Sequence, residues 1–215
     1  AVFLNRGDRF EPRPLPLEAQ LSPAFGVSIA DFDADGFLDL FLAQNFFGVR
    51  RDVARYDGGS GLILRGNGDG GFVSIRASES GIRIFGEQRG TAVADLDRDG
   101  RVDLVVGQNG GPVRVYRNRR PQAGLRVRLR GDAGNPDGVG ARLWLSDGEV
   151  EGSRIEIQSG SGFLSQNSSR PVLTMAGPAS QLHVRWPDGT EVTYPIEASD
   201  RDLVVDPQGR REDAD

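Results

Sequence analysis

Two nine-residue stretches carry the same order of acids: Asp31, Asp33, Asp35 and Asp39 in one, Asp95, Asp97, Asp99 and Asp103 in the other. Four carboxylates so close repel one another unless a cation holds them. Ca²⁺ suits such a set, because it takes six to eight oxygen ligands in flexible geometry. The side chains at positions 1, 3, 5 and 9 are the candidate ligands. The backbone carbonyls at position 7, Phe37 and Arg101, are candidates for a further oxygen. Gly36 and Gly100 at position 6 allow the sharp bend that wraps a loop around an ion. An EF-hand fails at its twelfth position, where a bidentate Glu is needed and Leu42 and Val106 stand. The flanks, such as Val27 to Ala30 and Leu38 to Leu42, read as strands rather than helices. The loops are therefore two expected Ca²⁺ sites between β-strands.

The repeat is larger than the loop. Residues 26–45 align without gaps on residues 90–109, at an offset of 64, with ten of twenty positions identical. Leu4 to Phe10 likewise resembles Leu64 to Phe72. A repeat of about 60 residues with four short strands fits one propeller blade. Strands are expected near 1–4, 27–30, 38–43, 61–64, 91–94, 102–106 and 113–116.

The order G-x-x-x-A-D-x-D-x-D-G-x-x-D-L, then a strand and N-x-G-D-G-x-F, resembles the FG-GAP (VCBS) calcium-binding repeat. That resemblance covers about residues 1 to 118 and implies blades of a β-propeller. Phe25-Gly26 matches the opening pair, whereas Phe85-Gly86 falls four residues early. Pro121 to Gly124 marks a junction. Beyond it, alternation at 125–130, 141–145, 154–157, 181–186 and 191–196, separated by Gly-rich turns, predicts a β-sandwich. Three segments there resemble the ASPIC/UnbV domain: Asp137 to Arg142, Gly160 to Ser168 and Val184 to Gly189. This resemblance implies a group like the cartilage acidic proteins. One segment departs from the family's Phe-Gly-Leu-Gly, reading Thr174 to Gly177. The expected organisation is all-β: two blades of an incomplete propeller (1–120), a small sandwich (121–200), and a polar tail without fixed structure (201–215).

A net charge of −5 makes a poor nucleic-acid binder. No apolar run is long enough to span a membrane. Without Cys there are no disulfides and no thiolate chemistry, and all 26 basic residues are Arg. No Met or signal peptide opens the sequence, which implies a mature or truncated chain. His183, the one histidine, lies in an alternating strand and reads as structural. Trp144 and Trp186 read as core or rim anchors of the sandwich. Arg126, Arg128 and Arg130 share one strand face, a docking stripe or a solvated surface. The two Arg-Gly-Asp triplets (6–8 and 130–132) read as turns, and Asn167 heads an N-glycosylation triplet.

The expected function is a non-catalytic, extracytoplasmic, Ca²⁺-stabilised binding or scaffold module that docks on a larger assembly or associates with itself. The alternative is a fragment or accessory domain of a secreted hydrolase or of a propeller adhesin. Two blades cannot close a ring, so their open edges and apolar inner faces (Phe32, Leu38, Leu40, Val102, Leu104) must be covered, one side by the sandwich and the other by another chain.

Overall fold

A computed structural model describes residues 1–214. The chain is all-β apart from a 3-10 turn (Leu17–Gln20) and one helical turn, α1 (Ala77–Ser80), and none of its sheets closes. It opens with a hairpin of β1 (Val2–Asn5) and β2 (Phe10–Arg13). A four-stranded antiparallel sheet follows, made in chain order by β3 (Ala24–Ala30), β4 (Asp39–Gln44), β5 (Leu62–Gly66) and β6 (Phe72–Ile75). The second repeat makes a three-stranded sheet of β7 (Glu87–Ala94), β8 (Asp103–Asn109) and β9 (Gly111–Tyr116). A register shift falls at equivalent places in both, between Ala24 and Gly26 and between Gln88 and Thr91. A Cβ at Gly26 would overlap the carbonyl oxygen of Arg89, so this glycine permits the close approach of the two sheets.

The hairpin and the two sheets stack face to face, and period-two alternation decides what each face meets. Leu40, Leu42 and Leu64 turn toward the hairpin and pack with Val2 and Phe72. Phe41, Ala43 and Ile63 turn the other way, onto Val93, Leu104, Val106 and Tyr116 of the second sheet. Phe32 and Val102 join that core. Phe32, Leu40, Val102 and Leu104 are therefore buried inside the chain and Leu38 is half-buried; Val172 of the C-terminal part joins the core around Phe32 and Val102, so these side chains need no outside partner for cover. The reason is that each unit covers its neighbour's face, a long-range pairing that no single strand pattern reveals.

The open surface lies one step further along the stack. Phe41 pairs with Ile63 as Val105 pairs with Val115, and Phe32 aligns with Leu96. Phe32 is 9% exposed and Leu96 48%; Phe41 is fully buried and Val105 half-buried; Ile63 is half-buried and Val115 55% exposed. The second sheet thus repeats the apolar face of the first without a described unit to cover it.

The remaining strands build two four-stranded sheets. One has the order β13-β10-β16-β17 and the other β12-β11-β14-β15. Their residues are β10 (Leu125–Leu129), β11 (Arg142–Ser146), β12 (Ile155–Glu156), β13 (Val172–Leu173), β14 (Gln181–Arg185), β15 (Glu191–Pro195), β16 (Asp202–Val205) and β17 (Arg211–Asp213). Inward-facing Val127, Leu129, Leu143, Leu182, Val184, Leu203 and Val205 form one core between them, together with Trp186.

The tail expected to lack structure instead supplies β16 and β17, although Asp215 lies outside the described residues. β16 runs parallel to β10, and Leu203 is fully buried. The Asp206 carboxylate closes the β16–β17 turn by accepting from the Gln208 and Arg210 N–H groups. Four strand residues are too few to display a period, and the polar turn hides the hairpin. Leu203→Ala should destabilise the protein by ~2–5 kcal/mol in denaturant unfolding, the usual cost of a buried leucine. An unstructured tail would give no change.

Candidate metal centres

The two acidic loops join β3 to β4 and β7 to β8, and they fold alike. Asp31 accepts the N–H groups of Asp35 and Gly36 at 3.2 and 2.7 Å, and Asp95 accepts those of Asp99 and Gly100 at 3.0 Å each. Asp39 accepts Phe32 N–H and Gly66 N–H, both at 2.9 Å. Asp103 accepts Leu96 N–H and Asn118 N–H at 3.0 and 2.8 Å. Position 5 repeats as well: Asp35 accepts from Phe37 N–H and Asp99 from Arg101 N–H. Positions 4 and 6 are left-handed in both, with φ of 58° and 94° at Ala34 and Gly36 and 60° and 77° at Arg98 and Gly100. A non-glycine residue held there costs free energy, which the surrounding hydrogen bonds offset.

The side-chain oxygens converge, in part as expected. Asp31, Asp33 and Asp39 place one oxygen each within 4.8 Å of one another, and so do Asp95, Asp97 and Asp99. Asp35 and Asp103 stand outside these groups. Phe37 and Arg101 occupy position 7, where only a backbone oxygen is available; the Arg101 side chain pairs with Asp99 at 2.7 Å.

Charge balance separates the loops. In the first, one carboxylate oxygen of Asp33 is buried without a hydrogen-bond partner, and the nearest cation, Arg65, is 3.8 Å from the other oxygen. In the second, each acid of the group faces a guanidinium: Asp95 has Arg126 at 3.9 Å, Asp97 has Arg117 at 3.3 Å, and Asp99 has Arg101. Burial pushes the Asp39 carboxyl up to about 7 and also raises Asp31 and Asp103. Buried carboxylates without counter-charge are costly. A cation would offset that cost most in the first loop, and a cleft of about 390 Å³ reaching Asp33 and Asp39 gives it an entry path. The hard oxygen donors of the first loop fit Ca²⁺.

Residues next to the C-terminal strands bond to both loops. Thr174 Oγ1 donates to Asp31 at 2.6 Å, and Ser153 Oγ donates to the Gly36 carbonyl at 3.1 Å. Gly124 N–H donates to the Gly100 carbonyl at 2.8 Å. A Cβ at Gly36 would overlap the backbone of Ala176. The segment 174–177, where the sequence departs from the resembling family, is thus the one seated on the first loop. That departure was the available signal for Thr174; nothing in the sequence pointed to Ser153. The structure places His183 away from the loops, stacked on Trp144 at 5.1 Å with Ser146 and Thr193 on its ring nitrogens.

Without metal, the Asp39 carboxyl binds more protons in the native than in the unfolded state between pH 3.8 and about 7. Its contribution to stability is full below that window and is lost as pH rises through it. Chelator-treated protein should therefore melt several degrees lower at pH 8 than at pH 5.5. Added Ca²⁺ should reverse the trend, because the cation replaces the proton. Equal pH dependence with and without Ca²⁺ would contradict the first loop as a cation site.

Residues 131–212 match the family model described as ASPIC and UnbV. Over 72 residues the chain is 35% identical to cartilage acidic protein 1 of Xenopus tropicalis and 36% identical to that of Homo sapiens. Each alignment covers 34% of this chain and 11% of the relative, so the chain spans about a ninth of the length of the curated relatives it matches. The matched residues, which include Ser153 and Thr174 at the first loop and every strand of the C-terminal pair of sheets except β10, are the part of the chain similar to the ASPIC and UnbV family.

Proposed function

We propose that the chain is a non-catalytic, extracytoplasmic, Ca²⁺-stabilised binding or scaffold module that works as a subunit or docking protein of a larger assembly. The observation that carries the metal part is the unpartnered buried oxygen of Asp33 beside Asp31 and Asp39. The duplicated loop supports a second, weaker site, because three arginines already compensate its acids. The stacked sheets and the 64-residue offset support the reading of FG-GAP (VCBS) blades in an incomplete propeller. Similarity to cartilage acidic proteins supports an extracytoplasmic setting. No helix among the described residues is long and apolar enough to cross a membrane.

The assembly part rests on the uncovered face of the second sheet. Leu96 and Val105 repeat the positions of buried Phe32 and Phe41 and are more exposed than they are, and Val115, in the place of half-buried Ile63, is exposed. An apolar sheet face of this kind marks an interaction surface. Its partner, a second copy or another subunit, is expected to bury at least ~1,000 Å² in total.

Calorimetric titration of chelator-stripped protein should show two Ca²⁺ sites of unequal affinity. Ca²⁺ at a hundred times its Kd should add ~2.7 kcal/mol to stability, since it binds the native state. Asp33→Ala should abolish most of that gain and Asp97→Ala a smaller part. A folded protein that takes up no Ca²⁺ at millimolar concentration would overturn the metal reading. Light scattering on protein from its natural source tests assembly separately. Val115→Glu should dissociate the complex with little change in melting temperature. A lone, non-aggregating 23.2 kDa species would refute the assembly role.

A further inference from the structure

A second charged site lies on the outer face of the sheet containing β10. Alternation puts Arg126 and Arg128 of β10, and Arg130 just after it, on one side, and the parallel pairing sets Asp202 beside Arg126 and Val204 beside Arg128. The fold then brings Arg98, from position 4 of the second acidic loop, and Arg170, from the segment before β13, to the same place. The five arginines line one cleft of about 290 Å³ with Val204. Among the described residues, three carboxylates share it: Asp202, Glu212 and Asp213.

Two of those acids are already engaged. Arg126, with its side chain 10% exposed, is ion-paired to Asp202, and Arg130 meets Glu212 through two hydrogen bonds of 3.2 and 2.9 Å. Arg128 and the half-buried Arg170 have no carboxylate within ion-pair distance among the described residues. Like charges gathered in a cleft raise its potential and favour an anion there. Guanidinium groups supply planar, paired donors that match the oxygens of phosphate and sulfate.

We propose that this cleft is a binding site for a tetrahedral oxyanion, the phosphate or sulfate group of a ligand, with Arg128 and Arg170 as its principal donors. Arg126 and Arg130, fixed by their own carboxylates, border the site and add to its field. Val204 gives it an apolar floor. The site does not require either acidic loop to hold a cation.

The test is titration of the whole chain with inorganic phosphate and, separately, sodium sulfate at low ionic strength. Calorimetry follows both and phosphorus NMR follows the first, with sodium chloride as the reference anion. Saturable binding of one equivalent is expected, and the tighter anion identifies the group. The doubly substituted Arg128→Gln, Arg170→Gln protein should bind at least ~10-fold more weakly, the loss of one charged hydrogen bond or more. Arg128→Gln alone, at an exposed side chain that makes no hydrogen bond or ion pair among the described residues, should still weaken binding if the double variant fails to fold. Arg76→Gln, an exposed site outside the cleft, should bind like the unmodified chain. Binding that never saturates, or that survives in Arg128→Gln and in the double variant, would overturn the proposal.

Discussion

The last carboxylate of each acidic loop ties three strands together. Asp39 takes the Phe32 N–H at the end of β3 and the Gly66 N–H at the end of β5, while sitting at the start of β4. Asp103 does the same with Leu96 and Asn118. Side-chain acceptors thereby satisfy buried backbone donors at the edge of each sheet, where the ladder cannot. The loop geometry, the left-handed residues at positions 4 and 6, and the convergence of the other acids all follow from that anchoring. Burial makes the same carboxylates hard to ionise, so the fold and the electrostatic demand for a cation have a common origin.

The duplication has diverged in charge rather than in shape. The backbone of the two loops is the same to the level of each hydrogen bond, yet the first presents a buried oxygen with no donor and the second presents arginines. Arg126 is central to this difference, because it reaches Asp95 from β10 while paired with Asp202. The C-terminal sheets therefore supply a neutral hydroxyl to one loop and a cation to the other.

Much of this was legible in the sequence. The offset of 64 residues located equivalent strands, and the acids at fixed spacing located the loops. Period-two alternation found β11, β14 and β15. What the sequence could not display was contact across long separations. The burial of Phe32, Leu40, Val102 and Leu104 depends on one unit covering another. The Arg126 stripe looked uniform, but Arg126 is buried and paired whereas Arg128 is exposed. The strands β16 and β17 were missed because short elements joined by a polar turn carry too few residues for periodicity to register. Thr174 could be flagged only as a departure from a pattern, not as the donor to Asp31.

The carbonyls of Gly36 and Gly100 occupy the same place in their loops, and each accepts a hydrogen bond from the C-terminal half. Two such attachment points, set on adjacent sheets, define a line and remove most freedom of rotation between the halves. The stiffness of the joint then belongs to the loops and not to the short connection at 117–123. A force that twisted the halves apart would have to deform both acidic loops before it strained the connecting chain.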